Sequence, residues 1–138
     1  MEHRCKVTVL RKECDERLQE EYLRNPKAGP CPFFDVGQEF VFSWNDGSRE
    51  DFWHMLGGNF PCAEAWDCIS RYVYTALHGG SPMTGWSRDD RQFIACCNDG
   101  TRPVIFKIER IDIPETEEER EWLEKQNFKN TAEDAYTG

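Results

Sequence analysis

The amino-acid sequence predicts a small single α+β domain, in which an antiparallel sheet with a β-hairpin in its C-terminal half packs against one long amphipathic helix and shorter helices. Three observations support this fold class. The chain has 138 residues, a length that usually forms one domain. Apolar side chains recur at helical spacing through residues 61–78. Residues 92–111 carry the pattern of two strands joined by a tight turn.

The first half of the chain supplies two strands and a short helix. Residues 6–10 alternate and contain β-branched side chains, which predicts a strand. Residues 14–24 have apolar side chains at helical spacing and acidic residues near the start, and Asn25-Pro26 follows, so we expect a helix that ends there. Residues 38–44 alternate again, which predicts a second strand.

The long helix is predicted over residues 61–78. Pro61 suits the first turn of a helix, because its missing N–H needs no partner there. Gly79-Gly80 then supplies a C-terminal stop. The helix has one apolar stripe, whose members are Ala65, Trp66, Ile69, Val73, Ala76 and Leu77.

The hairpin and a last helix complete the predicted order β-α-β-α-β-β-α. Strands are expected over residues 92–97 and 104–111, with the turn-forming sequence Asn98-Asp99-Gly100-Thr101 between them. Thr116 and Glu119 have the spacing of a capping box, which predicts that a helix follows.

Net charge divides the chain into two parts. The sequence holds 26 acidic and 17 basic residues, a formal charge of −9, and eight of the acids and three of the bases lie in residues 113–138. We therefore assign residues 1–112 to the α+β domain and residues 113–138 to an acidic C-terminal helix and tail.

The excess of acidic residues argues against binding to a nucleic-acid backbone. The apolar runs are too short for a membrane span and the first residues lack a signal-peptide pattern, so we expect a cytoplasmic protein.

Three stretches together resemble a family of short uncharacterised prokaryotic proteins that is common in anaerobes and archaea. They read GPCPxFxxGQEF at residues 29–40, AWDxI at residues 65–69 and ACCxDGxRPVIFK at residues 95–107. The resemblance covers about residues 5–112 and implies a small cytoplasmic domain with Cys31, Cys96 and Cys97 at motif positions. The family has no established activity and so implies no catalytic residues. The chain departs from the family pattern in residues 45–60 and in the acidic tail.

Seven cysteines are present, and the absence of a signal-peptide pattern favours reduced thiols over a disulfide framework. The favoured interpretation of each is a small buried hydrophobe. Cys96 and Cys97 are neighbours on a predicted strand, so their side chains should point to opposite faces. The alternative is a thiolate cluster of Cys31, Cys62 and either Cys96 or Cys97, which would bind zinc or iron or supply a nucleophile. Cys62 is the leading reactive thiol, because the first turn of a helix stabilises a thiolate.

The three histidines have different expected roles. His54 lies among aromatic side chains and is a candidate acid–base partner for the thiols, although a packed loop with a hydrogen-bonded imidazole explains the same pattern. His3 is expected to be exposed. His78 is expected to cap the long helix, where an imidazolium suits the helix dipole.

Two predicted loops, residues 49–60 and 81–90, carry much aromatic surface. The candidate ligand-binding residues on them are Trp53, His54, Trp86 and Arg88. We predict a small binding or accessory-subunit protein that uses these loops to hold a small molecule or a partner, as a homo-oligomer or as a subunit of a larger enzyme. The alternative is a small cysteine-dependent enzyme or a redox or metal-binding protein.

Overall fold

A computed structural model of the chain describes residues 1–43, 60–114, 116–118, 120–121 and 125. In these residues a four-stranded antiparallel sheet and two helices form one small α+β domain, which confirms the predicted fold class. The elements in chain order are β1 (Glu2–Lys12), α1 (Glu16–Tyr22), β2 (Glu39–Phe42), α2 (Ala63–Leu77), β3 (Gln92–Cys96) and β4 (Val104–Ile113).

The two long strands, β1 and β4, lie at the centre of the sheet, whose order is β2-β1-β4-β3. β1 pairs with β4 from Glu2 opposite Ile113 to Lys12 opposite Val104, with a shift of register between Val9 and Arg11. It is therefore longer than the predicted strand over residues 6–10. Hydrogen bonds to β4 hold the polar ends of β1 in the sheet. The alternation of side chains in the sequence does not reveal which strand is the partner.

One face of the sheet carries the hydrophobic core. β1 and β4 each bury three side chains there, which are Cys5, Val7, Val9, Val104, Phe106 and Ile108. Helix α2 packs against this face over β1, β4 and β3. All six members of its predicted apolar stripe are buried, so the periodicity of the sequence identified the correct face of the helix.

Aromatic rings fill the remainder of the core beside α2. The ring centroid of Phe34 lies 5.2 Å from that of Phe106 and 5.4 Å from that of Phe60. The Phe60 ring also lies 5.4 Å from the Trp66 ring. Such edge and tilted pairs each contribute about 0.5–1.5 kcal/mol beyond the area that they bury. Phe34 therefore fixes the loop before β2 to the centre of the domain.

The start of the long helix differs from the prediction. Pro61 was expected in the first turn, but α2 begins at Ala63 and Cys62 is its N-cap residue, with extended backbone angles of φ −141° and ψ 118°. The Cys62 sulfur accepts a hydrogen bond from the Ala65 N–H at 3.5 Å. The thiol thus takes the position that Ser, Thr, Asp or Asn holds at most helix starts. The helix must start after the cap, so Pro61 lies outside it.

The short helix α1 is also narrower than the predicted range of residues 14–24. Asp15 is its N-cap, and the Asp15 carboxylate accepts from the Leu18 N–H at 3.0 Å. Leu23 has extended backbone angles and ends the helix before Asn25-Pro26 is reached.

A buried glutamine of α1 joins segments that are far apart in sequence. Gln19 is 1% exposed. Its Nε2 donates to the Gly29 carbonyl at 3.0 Å, and its Oε1 accepts from the Gly29 N–H at 2.9 Å. Nε2 also lies 3.4 Å from Thr101 Oγ1 in the hairpin turn. One side chain therefore holds α1, the loop before β2 and the β3–β4 turn together.

The described residues after β4 agree with the start of the predicted last helix. Glu117, Glu118, Arg120, Glu121 and Lys125 have helical backbone. The Arg120 N–H donates to the Thr116 carbonyl at 2.9 Å. The rest of the predicted acidic tail lies outside the described residues.

Candidate functional site

The loop of residues 81–90, which joins α2 to β3, presents Trp86 to solvent. This side chain is 79% exposed. Gly85, with φ +76°, adopts a left-handed conformation that suits glycine directly before it. The Gly85 N–H donates to Asp90 Oδ1 at 2.9 Å, and the Ser81 hydroxyl donates to the Asp90 carbonyl. The two ends of the loop are therefore hydrogen-bonded to each other, and Trp86 projects from a fixed backbone.

An acidic residue anchors the end of this loop to the sheet. Asp89 accepts from the Arg91 N–H at 2.9 Å and from Arg91 Nη2 at 2.8 Å. The Asp89 carbonyl accepts from the Gln92 N–H at 3.0 Å, at the start of β3. The side-chain hydrogen bond from Arg91 is the largest cause that lowers the pKa of Asp89 to about 2. Asp89 is consequently ionised at any physiological pH, and the loop keeps this anchor.

Two of the four predicted ligand-binding residues lie in the described part of the chain. Trp86 and Arg88 are both exposed on the same loop. Trp53 and His54 lie outside the described residues. The loop of residues 81–90 is thus the described part of the predicted binding surface.

The four cysteines of the predicted thiolate cluster lie in different environments. Cys31 is buried, Cys62 is the N-cap of α2, and Cys96 is exposed while Cys97 is half-buried. The last two therefore face opposite sides of the sheet, as the strand pattern predicts. Within the part of the chain that the structure describes, no three His, Cys, Asp or Glu side chains come together as a group that could hold a metal ion.

Cys68 lies outside the predicted thiolate cluster but interacts electrostatically with two of its members, Cys97 and Cys96. Cys68 belongs to α2 and packs beside the core, as does Cys97. Burial raises the pKa of the Cys68 thiol, and the thiols of Cys97 and Cys96 raise it further. The sequence shows no sign of this grouping, because it depends on how α2 lies over the edge strand β3.

His3 is half-buried, so the expectation that it is exposed was wrong. Its Nδ1 lies 2.8 Å from Asp112 Oδ1, and Arg110 Nε donates to the same carboxylate oxygen at 2.9 Å. Burial acts to raise the pKa of Asp112, but hydrogen bonds from Arg110 and His3 lower it below its ordinary value. The β1–β4 pairing creates this cluster by placing His3 opposite Asp112, which are 109 positions apart.

His78 caps the long helix as predicted. It is the C-cap residue of α2, and its Nδ1 lies 2.9 Å from the Tyr74 carbonyl. The two rings are also in contact, with centroids 4.3 Å apart and planes tilted by 42°. These contacts give His78 a structural role at the end of α2.

The face of the sheet opposite α2, which we call the open face, carries an ionic network. Lys6 Nζ and Lys107 Nζ lie 3.4 and 3.5 Å from Glu109 Oε1. Gln92 Nε2 lies 3.5 Å from the other oxygen of Glu109. Exposed apolar side chains flank this network, and they include Val41 and Ile94. The open face is therefore mixed in character, with its charges already paired within the sheet.

Comparison with known proteins gives no relative. No family model, no curated protein and no solved structure matches the chain. Every helix in the described part of the chain is too short or too polar to cross a bilayer.

Proposed function

We propose that this chain is a small binding or accessory-subunit protein, and that the loop of residues 81–90, with the segment 49–60, holds its partner. The observation that carries this proposal is the 79% exposure of Trp86 on a hydrogen-bonded loop. A tryptophan side chain offers about 150–250 Å² to a partner. At about 25 cal/mol per Å², burial of the exposed part would contribute on the order of 4 kcal/mol to the binding free energy, before the costs of association are subtracted.

The geometry favours a protein partner over a small molecule. Small-molecule sites are concave and bury most of the ligand surface. A side chain that is 79% exposed does not line such a cleft. Tryptophan and arginine are the side chains most enriched among interface hot spots, and Arg88 is exposed two residues after Trp86. A homo-oligomer or a larger enzyme assembly is therefore a better candidate partner for this loop than a small ligand.

A fixed loop strengthens the argument for a binding role. An interface side chain on a mobile loop would lose conformational entropy on binding. The Gly85, Asp89 and Asp90 hydrogen bonds hold the loop backbone before binding, so they lower the backbone part of that cost.

Native mass spectrometry of the purified chain tests the proposal, because one spectrum reports oligomer, bound ligand and metal. We expect the wild-type chain to form an assembly, and Trp86→Ala to weaken it by at least about 30-fold, the equivalent of a 2 kcal/mol hot spot. Tyr22→Ala is the matched control, because Tyr22 is an aromatic side chain of similar exposure, 72%, on α1. Far-UV circular dichroism should be the same for all three proteins.

Two results would contradict the proposal. A wild-type spectrum of a bare monomer would contradict the homo-oligomer, and a Trp86→Ala variant that associates as tightly as the wild type would contradict the use of this loop. The alternative, a cysteine-dependent enzyme or a redox or metal protein, makes a different prediction for Cys62→Ser. The binding protein should keep its affinity in that variant, whereas an enzyme that uses Cys62 as its nucleophile should lose activity.

A further inference from the structure

We propose that Cys68 of α2 and Cys97, which directly follows β3, form a dithiol that a hydroperoxide converts to an intramolecular disulfide. This modification site is independent of the binding surface around Trp86. It rests on the register between the helix and the edge strand, on the face of the strand that Cys97 occupies, and on the chemistry of the two thiols.

Two contacts fix the register of α2 over β3 on either side of Cys68. Near the start of the helix, Asn98 Nδ2 donates to Glu64 Oε2 at 2.6 Å. Two turns later, the rings of Tyr72 and Phe93 lie 4.8 Å apart. Cys68 is four residues after Glu64 and four before Tyr72, so all three lie on one face of the helix. That face runs along the strand, and Cys68 lies between the two contacts.

The strand presents Cys97 to the same gap. Phe93 and Ala95 face the helix side of the sheet, opposite Ile108 and Phe106, and Cys97 continues that alternation. Cys96 is exposed on the other face. Cys68 and Cys97 both pack against the core cluster. The two contacts place Cys68 near the level of Ala95, and the small side chain of Ala95 leaves space on this face for a contact between Cys68 and Cys97.

The local backbone keeps both thiols in place. Cys68 lies within the 15-residue helix α2. The Cys97 N–H donates to the Val104 carbonyl at 3.1 Å, and the Cys97 sulfur accepts from the Val104 N–H at 3.3 Å. A disulfide here would join the first half of α2 to the end of the hairpin strand, so it should also strengthen the helix–sheet contact.

The reaction is balanced with a hydroperoxide as the oxidant. The first thiolate attacks the peroxide oxygen and becomes a sulfenic acid, and hydroxide or alkoxide leaves with the electron pair of the O–O bond. The second thiol attacks the sulfenic sulfur, the S–S bond forms, and water leaves. The two thiols together lose two electrons and two protons, and the peroxide is reduced by two electrons.

The ionisation of Cys68 gives the reaction a pH dependence. Burial and the neighbouring thiols raise the pKa of Cys68. At neutral pH this thiol is therefore almost entirely protonated, and only the thiolate is a nucleophile. The rate of disulfide formation should increase as the pH rises from 7 to 9.

Peptide mapping of the peroxide-treated native chain tests the proposal directly. We expect the intact mass to fall by two hydrogens, a cross-linked peptide that joins Cys68 to Cys97, and two fewer titratable thiols than the seven of the reduced chain. Cys68→Ser and Cys97→Ser should each slow the loss of two thiols by at least tenfold. Cys96→Ser is the matched control, because it removes the adjacent thiol on the opposite face, and it should oxidise like the wild type.

The wild-type map decides the question even if a serine variant fails to fold. A cross-link from Cys68 to Cys96, a cross-link that omits Cys68, or sulfenic and sulfinic acids with no cross-link would each overturn the proposal. So would a Cys68→Ser variant that loses two thiols at the wild-type rate.

Discussion

The substitution Gln19→Leu should destabilise the domain more than any change on the exposed face of α1. Gln19 is 1% exposed, and its amide makes two short hydrogen bonds to the backbone of Gly29. Leucine keeps a similar volume but offers no donor or acceptor. The Gly29 N–H and carbonyl would then lose their partner inside a half-buried loop.

The expected cost follows from counting these bonds. Each intramolecular hydrogen bond contributes about 0.5–1.5 kcal/mol net, and each buried polar group left without a partner costs about 1–3 kcal/mol. The longer contacts of Gln19, at 3.4 Å to Thr101 Oγ1 and at 3.5 Å from Cys14 Sγ, add little. We therefore expect the free energy of unfolding to fall by about 2–4 kcal/mol.

Urea denaturation measures this change. With a slope of about 2 kcal/mol per molar, typical of a small domain, the midpoint should fall by about 1–2 M at unchanged slope. Glu20→Ala is the matched control, because Glu20 is exposed on the neighbouring position of α1 and should shift stability by less than about 0.5 kcal/mol. If Gln19→Leu is no more destabilising than Glu20→Ala, then the amide does not hold the loop and the reasoning fails.

Three further predictions concern the interior of the sheet and the end of α2. Gly79→Ala should lower the free energy of unfolding by about 1–3 kcal/mol, because φ at this position is +79° and the new Cβ would lie 2.6 Å from His3 Nε2. Thermal unfolding measures this change, and Gly100→Ala is the control, because its new Cβ would meet open space. Burial raises the pKa of Cys5 to about 12, so its alkylation at pH 8, followed by mass spectrometry, should be about a thousandfold slower than that of an ordinary thiol. The pKa of Asp112 is lowered in the folded state, so its contribution to stability is present above its ordinary pKa of about 3.9 and is lost as the pH falls through the lowered value. Asp112→Asn should weaken this loss in urea titrations from pH 6 down to about pH 2, and an unchanged acid dependence would refute the assignment.

The type and order of the elements could be predicted because they are local. The apolar stripe of α2, the turn at Asp99 and the cap at His78 each depend on residues within a few positions. The structure agrees in detail at Asp99, whose carboxylate accepts from the Thr101 N–H at 2.9 Å and from Arg102 Nε at 3.2 Å.

The contacts that could not be predicted are those between distant segments. Gln19 is a polar residue in a helix with many charged neighbours, and its burial depends on where Gly29 and Thr101 lie. His3 acquires its role from a strand pairing that spans almost the whole chain. Cys68 does not stand out in the sequence, because the neighbours of a helix cysteine are known only once the helix–strand register is known. A sequence pattern cannot predict contacts between distant segments, because it contains only the spacing of residues along the chain.

The two proposed sites lie at opposite ends of α2, and this placement makes them independent. At the C-terminal end, Arg110 Nη1 donates to the Gly79 carbonyl at 2.8 Å and to the Gly80 carbonyl at 3.2 Å, which ties the start of the Trp86 loop to β4. Cys68 lies nine residues before Leu77, the last residue of the helix, which is about 13.5 Å along the helix axis. Because the loop is held by Arg110 and by its own hydrogen bonds, a disulfide from Cys68 to Cys97 should leave Trp86 where it is. Oxidised and reduced chains should then assemble with equal affinity. An assembly that changes with oxidation would instead show that α2 transmits a movement from one end to the other.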